Sequence, residues 1–336
     1  MEENTKKKGC FGKIILVVIV GLVLWNVFKP DNTSPSADLP ESKSYTPVVS
    51  QYAYNALPDD TMRELYKKIQ DAAYGDPDEN YILTSITAKD DMTLTKFFLA
   101  YRAFTEDHPE VFWLNFGVNR SNPLDFGEPI GYVVYSRYSS DELKARKAEL
   151  YEALERFLDG VPAGLSEREL QEYAHDYLID NCVYDYASLD ENGDIDSDYI
   201  DVQRIGESIG ALVDGKAVCA GYATAYQLLL NRLGVDCVQI LGQGAALNPE
   251  LRMRTGKLNH QWNAVKNGSE WVMTDVTWDD SGDGIRSYDY FNIPIEKMYE
   301  DHNAQKIDFS TYEYTLLSNT VTIYAKSDWD CLFLPE

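Results

Sequence analysis

The spacing of apolar and polar positions predicts a mixed succession of helices and strands from about residue 50 onward. In the first half of the chain it predicts helices over Thr61–Ala73 and Leu94–Glu106 and strands over Val111–Phe116 and Gly131–Tyr138. A charged amphipathic helix then runs from its cap at Ser140 to Asp159. The pattern of this half therefore favours a small α/β region.

The second half opens with a stronger signal. Ser166 and Glu169 form a capping box, which marks the start of a helix. Further along, Ala217–Leu233 is rich in helix formers and Gly234 supplies its stop. The apolar run Val235–Leu241 then predicts a buried strand.

The first thirty residues differ from the rest. Lysines flank the start of an apolar run, Ile14–Phe28, that reaches the length of a spanning helix if it begins at Gly9 and Lys13 extends its amine towards the headgroups. A cleaved signal peptide is the alternative, although no convincing small-x-small site follows. We favour an uncleaved anchor in the cell membrane, with a single pass and everything after Lys29 outside. Residues 31–48 are rich in Pro, Ser and Asp and are typical of a linker.

Charge and composition narrow the choice of partners. The formal net charge is −25, which disfavours nucleic acid because phosphate binding needs clustered basic residues. The acidic stretch Asp190–Asp198 suggests a calcium loop, but Gly193 falls at its fourth position, where the calcium pattern needs glycine at the sixth. We predict a solvated loop there, and no metal or cofactor for the chain.

Among the five cysteines, Cys219 stands where a nucleophile would be activated. It lies in the first turn of the helix predicted over Ala217–Leu233, where unpaired N–H groups and the helix dipole favour a thiolate. Cys182 and Cys237 fall on apolar faces, and we interpret both as buried core thiols.

A hairpin signal links a histidine to an aspartate. Asn267-Gly268 is typical of a two-residue hairpin loop, and with these two residues as the loop His260 lies directly opposite Asp275. Opposed Cβ atoms are about 4.5–5.5 Å apart, close enough for a carboxylate to hold an imidazole. The remaining members of that face are apolar and predict core: Trp262, Ala264, Trp271 and Met273.

A structural His–Asp pair beside an unrelated core cysteine is the alternative interpretation, and spacing alone does not separate the two. For the other histidines, His108, His175 and His302, the sequence predicts no acidic partner in register.

Several segments together carry a family resemblance. They are Lys216–Ala223, Asn231–Gly234, His260–Asn263, Trp271–Asp279, Asp176–Asn181, Tyr184–Asp185 and Tyr290–Asn292. The stretch over roughly 165–300 resembles the bacterial transglutaminase-like superfamily, and most of all its cytokinesis-type transglutaminase/protease-like branch. The resemblance implies an α+β fold with a papain-like core, in which a helix bearing Cys219 packs on an antiparallel sheet bearing His260 and Asp275.

The resemblance also implies a division of the chain and an activity. We predict an anchor at 1–30, a linker at 31–48, an N-terminal α/β region at 49–160, a transglutaminase-like domain at 161–310 and an extension at 311–336. Cys219 is the expected nucleophile, His260 the base and Asp275 the orienter of an acyl-transfer enzyme acting on protein or cell-wall peptide amides. A catalytically silent binding or scaffold module with the same fold is the alternative.

Overall fold

The fold is described here from a computed structural model over residues 51–89, 91–121, 128–189, 204–244, 259–282, 285–310 and 331–335. The predicted anchor, linker and acidic loop at 190–198 lie outside these residues. Within the described ranges, no helix combines the length and apolar character that crossing a membrane requires.

Helices alternate with strands along the described chain. The α-helices are α1 (Tyr52–Ala56), α2 (Asp60–Ala73), α3 (Leu94–Asp107), α4 (Ser140–Asp159), α5 (Glu167–Asn181), α6 (Cys219–Arg232), α7 (Val276–Asp279) and α8 (Ile295–Met298). The strands are β1 (Ile82–Thr87), β2 (Leu114–Asn119), β3 (Gly131–Ser136), β4 (Val183–Tyr184), β5 (Lys216–Ala217), β6 (Cys237–Gly244), β7 (Asn259–Asn267), β8 (Glu270–Thr274) and β9 (His302–Asn303).

The strands form three sheets. In the N-terminal region an antiparallel sheet has the order β1-β3-β2, and a short parallel pair joins β4 to β5. The third sheet is antiparallel with the order β8-β7-β6-β9. The chain therefore has the mixed helix-and-sheet architecture that the sequence predicts.

Helix starts follow the capping chemistry of the sequence. Ser166 and Glu169 form the predicted capping box at the start of α5, and Gly234 takes a φ of +79° just after α6. The cap of α4 is Ser139 and not Ser140 as predicted, because Glu142 completes a capping box with Ser139. Strand β2 begins at Leu114, three residues later than predicted.

The four-stranded sheet is covered on both faces. One face holds a buried apolar cluster with Ile240, Trp262, Ala264 and Met273, which confirms the predicted core face of the hairpin. Helix α6 packs on the other face, where Asn263 Nδ2 donates to a carbonyl of α6 at 2.9 Å. Both faces of this sheet therefore carry packed parts of the fold.

Contacts cross the predicted boundary between the N-terminal region and the second domain. One hydrophobic cluster contains Phe104 and Phe157 from the first and Leu229 from the second. Ser208 donates to the Pro109 carbonyl at 2.7 Å. The boundary at 160/161 itself stays a prediction, but the two regions share their core.

We predict that Gly242→Ala in β6 destabilises the protein. Gly242 pairs with His260, and a Cβ there would meet the Asn303 carbonyl oxygen at 2.3 Å and the Trp262 ring at 2.6 Å. Overpacking of this kind costs about 1–3 kcal/mol, which urea unfolding can measure.

Gly117→Ala is the matched control, because this strand glycine would place its Cβ 3.6 Å from Tyr135, an ordinary contact. Its free energy of unfolding should change by less than about 0.5 kcal/mol. An equally small change in Gly242→Ala would contradict the close approach of β9 to β6.

Candidate active site

Cys219 is the first residue of α6, which begins two residues later than predicted and still has Cys219 in its first turn. Its cap, Val218, has extended backbone and contributes no side-chain hydrogen bond to the helix N-terminus. Two residues on, Gly221 lets the helix pass the Ile205 carbonyl, which a Cβ would approach to 2.3 Å. Among the described cysteines, Cys219 is partly exposed, whereas Cys182, Cys237 and Cys331 are buried.

The buried thiols differ from Cys219 in chemistry as well. Burial raises the pKa of Cys182 to about 12, and burial also raises the pKa of Cys237 well above its ordinary value. Both side chains belong to the apolar core, which confirms the sequence interpretation. They are protonated and shielded near neutral pH, as expected of inert structural thiols.

His260 and Asp275 are in contact, but the predicted register is wrong. The ladder pairs Asn263 with Thr274 and Asn267 with Glu270, a shift of two residues. The two loop residues are Gly268 and Ser269, and Gly268 has a φ of +62°, which a type II′ turn needs at its first central position. A shift of two preserves the face of every side chain, so the predicted contact between His260 and Asp275 is present although the predicted residue pairs are wrong.

Asp275 reaches His260 from a helix cap and not from a strand. Strand β8 ends at Thr274, and Asp275 is the N-cap of α7, where its Oδ1 accepts from the N–H groups of Thr277 at 3.0 Å and Trp278 at 3.3 Å. Its other oxygen, Oδ2, accepts from His260 Nε2 at 2.5 Å. The cap fixes the carboxylate while leaving one oxygen for the imidazole.

This pair is strongly coupled. Burial alone would lower the pKa of His260, but the charge and hydrogen bond of Asp275, with further help from Cys219, outweigh it and raise that pKa to about 10. Burial would raise the pKa of Asp275, yet His260 and then His302 hold it well below its ordinary value. The site thus favours an imidazolium–carboxylate pair.

The orientation of His260 determines which nitrogen faces the thiol. Nε2 is occupied by Asp275, so Nδ1 is the ring nitrogen left to exchange a proton with the neighbouring Cys219 thiol. The structure therefore brings together all three residues singled out from the sequence.

A tyrosine stands beside the cysteine. The Tyr184 hydroxyl lies near the backbone N–H of Cys219. Burial and then the neighbouring Cys219 thiol raise the pKa of Tyr184. The sequence includes Tyr184 in the family resemblance but gives no local signal for its role, because β4 is two residues long and meets α6 only through the fold.

The structure also adds His302, which the sequence did not single out. This buried residue of β9 places Nε2 at 3.1 Å from Asp275 Oδ2, and its Nδ1 lies 2.7 Å from Asp301. Trp278 packs against both imidazoles, with ring centroids 5.3 Å from His260 and 4.2 Å from His302. Asp275 is therefore shared by two histidines.

The remaining histidines have acidic neighbours too, which register could not predict. His108 Nδ1 lies 3.1 Å from Glu110, and His175 Nε2 lies 3.2 Å from Asp279. Both histidines are buried inside their respective regions, and neither neighbours Cys219 in the contacts described above.

Within the described chain, His260, Asp275 and His302 form the group whose donor atoms converge enough to hold a metal ion, all within 4.8 Å of one another. Imidazole nitrogen and carboxylate oxygen are ligands that zinc accepts. Here these atoms are engaged in hydrogen bonds with each other, so binding a metal would require those bonds to break.

Comparison with known families agrees with this geometry. Residues 163–276, which include the cysteine helix, His260 and Asp275, match the sequence model of the transglutaminase-like superfamily. This segment is a transglutaminase-like domain. The match does not extend to a particular branch, so the cytokinesis-type assignment stays a prediction. No curated protein matches the chain significantly.

Solved structures similar to the chain are distant. A proposed cysteine protease from Cytophaga hutchinsonii is 15% identical over 39% of this chain, with a TM-score of 0.27. A structure described as a TGase is 15% identical over 63% of the chain, with a TM-score of 0.31. A proposed protease from Parabacteroides distasonis is 12% identical over 48%, with a TM-score of 0.24. The chain spans 37%, 55% and 34% of these neighbours' own lengths.

We predict that Asp275→Asn destabilises the transglutaminase-like domain in a pH-dependent way. The His260 contribution is fully present below its unfolded pKa of about 6.5 and is lost as the pH rises through about 10. The Asp275 contribution is present above its unfolded pKa of about 3.9. The loss should therefore be largest between about pH 4 and 6.5, at about 3 kcal/mol.

Urea unfolding at pH 6 and pH 10 measures this loss. Asp71→Asn is the control, since Asp71 is exposed on α2, and its effect should stay within about 0.5 kcal/mol at both pH values. A loss of the same size at pH 6 and pH 10 in Asp275→Asn would argue against an ion pair.

Proposed function

We propose that the chain is a membrane-anchored, extracytoplasmic cysteine acyl-transfer enzyme acting on protein or cell-wall peptide amides. The proposal is carried by one observation: the partly exposed Cys219 thiol lies beside the His260 imidazole, whose Nε2 is held at 2.5 Å by the buried Asp275. Such a nucleophile, base and orienter set activates a thiol for attack on carbonyl carbon.

The first half-reaction follows from that geometry. The Cys219 proton passes to Nδ1 of His260, which forms the imidazolium that the Asp275 carboxylate stabilises. The sulfur forms a bond to the amide carbon while the carbonyl π electrons move to oxygen. When the tetrahedral intermediate collapses, the C–N bond breaks, the amine leaves with the proton from His260, and a thioester remains on Cys219.

The second half-reaction decides the product. Water, deprotonated by His260, attacks the thioester in a protease or amidase, and a primary amine attacks it in a transglutaminase. In both cases the C–S bond breaks and the proton returns to the Cys219 sulfur. The same three side chains serve both outcomes, so the acyl acceptor is chosen by access to the cleft.

Two groups beside Cys219 support an oxyanion site. The Cys219 N–H is at the start of α6, where no preceding turn accepts from it, and the Tyr184 hydroxyl lies near it. A carbonyl oxygen that displaces this hydroxyl from the N–H would have the Tyr184 O–H as a second donor. Donors placed this way are worth about 10²–10³ in rate.

The location rests on the sequence. The lysine-flanked apolar run Ile14–Phe28 favours an anchor, and Pro-rich residues 31–48 would let the catalytic region stand off from the membrane. The net charge of −25 would keep that region away from anionic lipid surfaces. The alternative is that a signal peptidase cleaves the apolar run and releases the region. The mass of the mature protein distinguishes the two, because cleavage removes the N-terminal residues.

We predict that Cys219→Ala abolishes both peptide-amide hydrolysis and amine incorporation, with a fall of at least about 10³ in rate, because the sulfur that carries the proposed thioester is removed. Release of a coumarin amine from peptide amides and incorporation of a fluorescent primary amine measure the two reactions. Cys182→Ala is the matched control and should retain the wild-type rates, since that thiol is buried.

Thiol chemistry separates the enzyme from a silent scaffold. Iodoacetamide at neutral pH should alkylate Cys219 and spare the buried Cys182, Cys237 and Cys331 in the folded protein. Equal rates for wild type and Cys219→Ala, together with an inert Cys219, would favour the scaffold.

We predict that His302 is a positioning residue for Asp275. His302→Phe keeps the aromatic packing against Trp278 but removes a donor to Asp275 Oδ2, which should lower kcat about tenfold with little change in KM. The pKa of the Asp275 carboxyl should then rise, because a hydrogen bond to its charged form is lost, and the acidic limb of the pH–rate profile should move to higher pH.

His302→Gln is the conservative control, since its amide N–H can replace the imidazole N–H and should restore part of kcat. If His302→Phe lowers only the free energy of unfolding and leaves kcat and the acidic limb unchanged, the residue is structural.

A further inference from the structure

A cavity of about 370 Å³ lies between the N-terminal region and the transglutaminase-like domain. Its first wall is α3 and the segment that leads into β2, with Tyr101 and Arg102 among its members. Its second wall is α6 and the sheet, including Thr224 and Gln261. The volume is at the lower end of the range for ligand pockets, about 300–1,000 Å³.

The cavity lies close to the candidate active site. Thr224 follows Cys219 by five residues on α6, which places it about 7.5 Å along the helix axis. Gln261 follows His260 on β7, and Gly206 in the lining would place a Cβ 3.9 Å from Ala220. Two residues of extended peptide span about 7 Å, so a peptide held at Cys219 could reach the cavity two residues away.

Two buried ion pairs line the cavity. Arg102 Nε lies 2.7 Å from Glu106, and the Arg137 guanidinium contacts Glu207. Their charges cancel, so a ligand with a net charge would gain no partner for it. Buried ion pairs contribute little net stability to a fold. Stability alone therefore does not account for these two pairs, and ligand binding is a second role for them.

Polar atoms at the cavity are left without partners. Arg137 Nε and Glu207 Oε2 are buried and make no hydrogen bond. On the opposite wall, Gln261 Nε2 donates to Gln239 at 2.6 Å, and Gln239 donates onward to Gln227 at 2.7 Å. The Oε1 of Gln261 makes no hydrogen bond within the described chain and, unlike the two atoms above, is not fully buried. Unmet buried donors and acceptors are costly, and a ligand that pairs with them is favoured.

We propose that this cavity is a substrate subsite for an uncharged polar residue of the acyl-donor peptide, two positions from the reacting amide, with an amide or hydroxyl side chain. An N–H or O–H donor on that residue pairs with Gln261 Oε1 or Glu207 Oε2, and an oxygen acceptor pairs with Arg137 Nε. This subsite rests on the proposed acyl-transfer function and adds to it the choice of peptide.

The test uses five irreversible probes on the purified full-length chain. Each is an acetyl-Xaa-Ala vinyl sulfone, which places residue Xaa second from the electrophile that captures Cys219, and Xaa is Asn, Ser, Leu, Asp or Lys. The rate of Cys219 capture is followed by intact mass and divided by the rate with iodoacetamide, which has no peptide. We expect the Asn and Ser probes to react about tenfold faster than the Leu probe, and the Asp and Lys probes to be slowest.

The outcomes separate the subsite from the function. Equal relative rates for all five probes, with Cys219 alkylated by iodoacetamide, would overturn the subsite and leave the proposed function standing. A Cys219 that reacts with neither kind of reagent would overturn both. Neither result depends on a mutant that has to fold.

A pair of variants locates the preference. Gln261→Leu removes the unpaired acceptor, and the ratio of Asn-probe to Leu-probe rates should fall about fivefold, as expected for one neutral hydrogen bond. Gln243→Leu, the same change at an exposed position of β6, should keep the wild-type ratio. An unchanged ratio in Gln261→Leu with normal thermal unfolding would show that the preference does not come from this cavity.

Discussion

The buried carboxylate of Asp275 is the constraint on which the rest of the site depends. An anion with no exposed surface needs several donors, and Asp275 has four: two backbone N–H groups of α7 on one oxygen and the imidazoles of His260 and His302 on the other. These donors come from β7, from β9 and from the turn after β8. One side chain therefore holds three segments of the fold together and stabilises them as a unit.

The same constraint decides how the site can act. Because Nε2 of His260 is committed to Asp275, the ring can exchange a proton with Cys219 only through Nδ1, and its plane is fixed by a partner that cannot move. Trp278 covers the imidazoles from one side and Trp262 packs behind them, so water has little access to the pair. Catalytic proton transfer depends on such fixed geometry more than on the number of groups present.

Much of this site could be predicted from the sequence, for reasons that differ between residues. The place of Cys219 followed from helix propensity and the glycine stop, which are local. The pairing of His260 with Asp275 followed from the alternation of strand faces, and it survived a register error because a shift of two residues keeps the faces. Asn267-Gly268 correctly indicated a hairpin turn. Gly268 is equally suited to be the first residue of a Gly268-Ser269 loop, and the sequence alone does not distinguish these two loops. The place of His302 and the role of Tyr184, which the resemblance includes, could not be predicted, since each residue reaches the site through long-range packing with no local signal.

Polar contacts hold the N-terminal region against the transglutaminase-like domain. Its helix α3 accepts a hydrogen bond from Gln227 of α6 at the Glu106 carbonyl, and its Arg137 pairs with Glu207 just ahead of the cysteine helix. Gln239 donates a hydrogen bond to Gln227, and Gln261 donates one to Gln239. A single hydrogen-bonded chain thus runs from α3 across the sheet to the residue beside His260. Both walls of the cavity belong to that chain of contacts. The shape of the cavity is therefore set by the packing of the N-terminal region against the transglutaminase-like domain, and not by that domain alone. Peptide choice and fold integrity are then parts of the same interface, which explains why polar and charged side chains are buried there where apolar packing would stabilise the fold more simply.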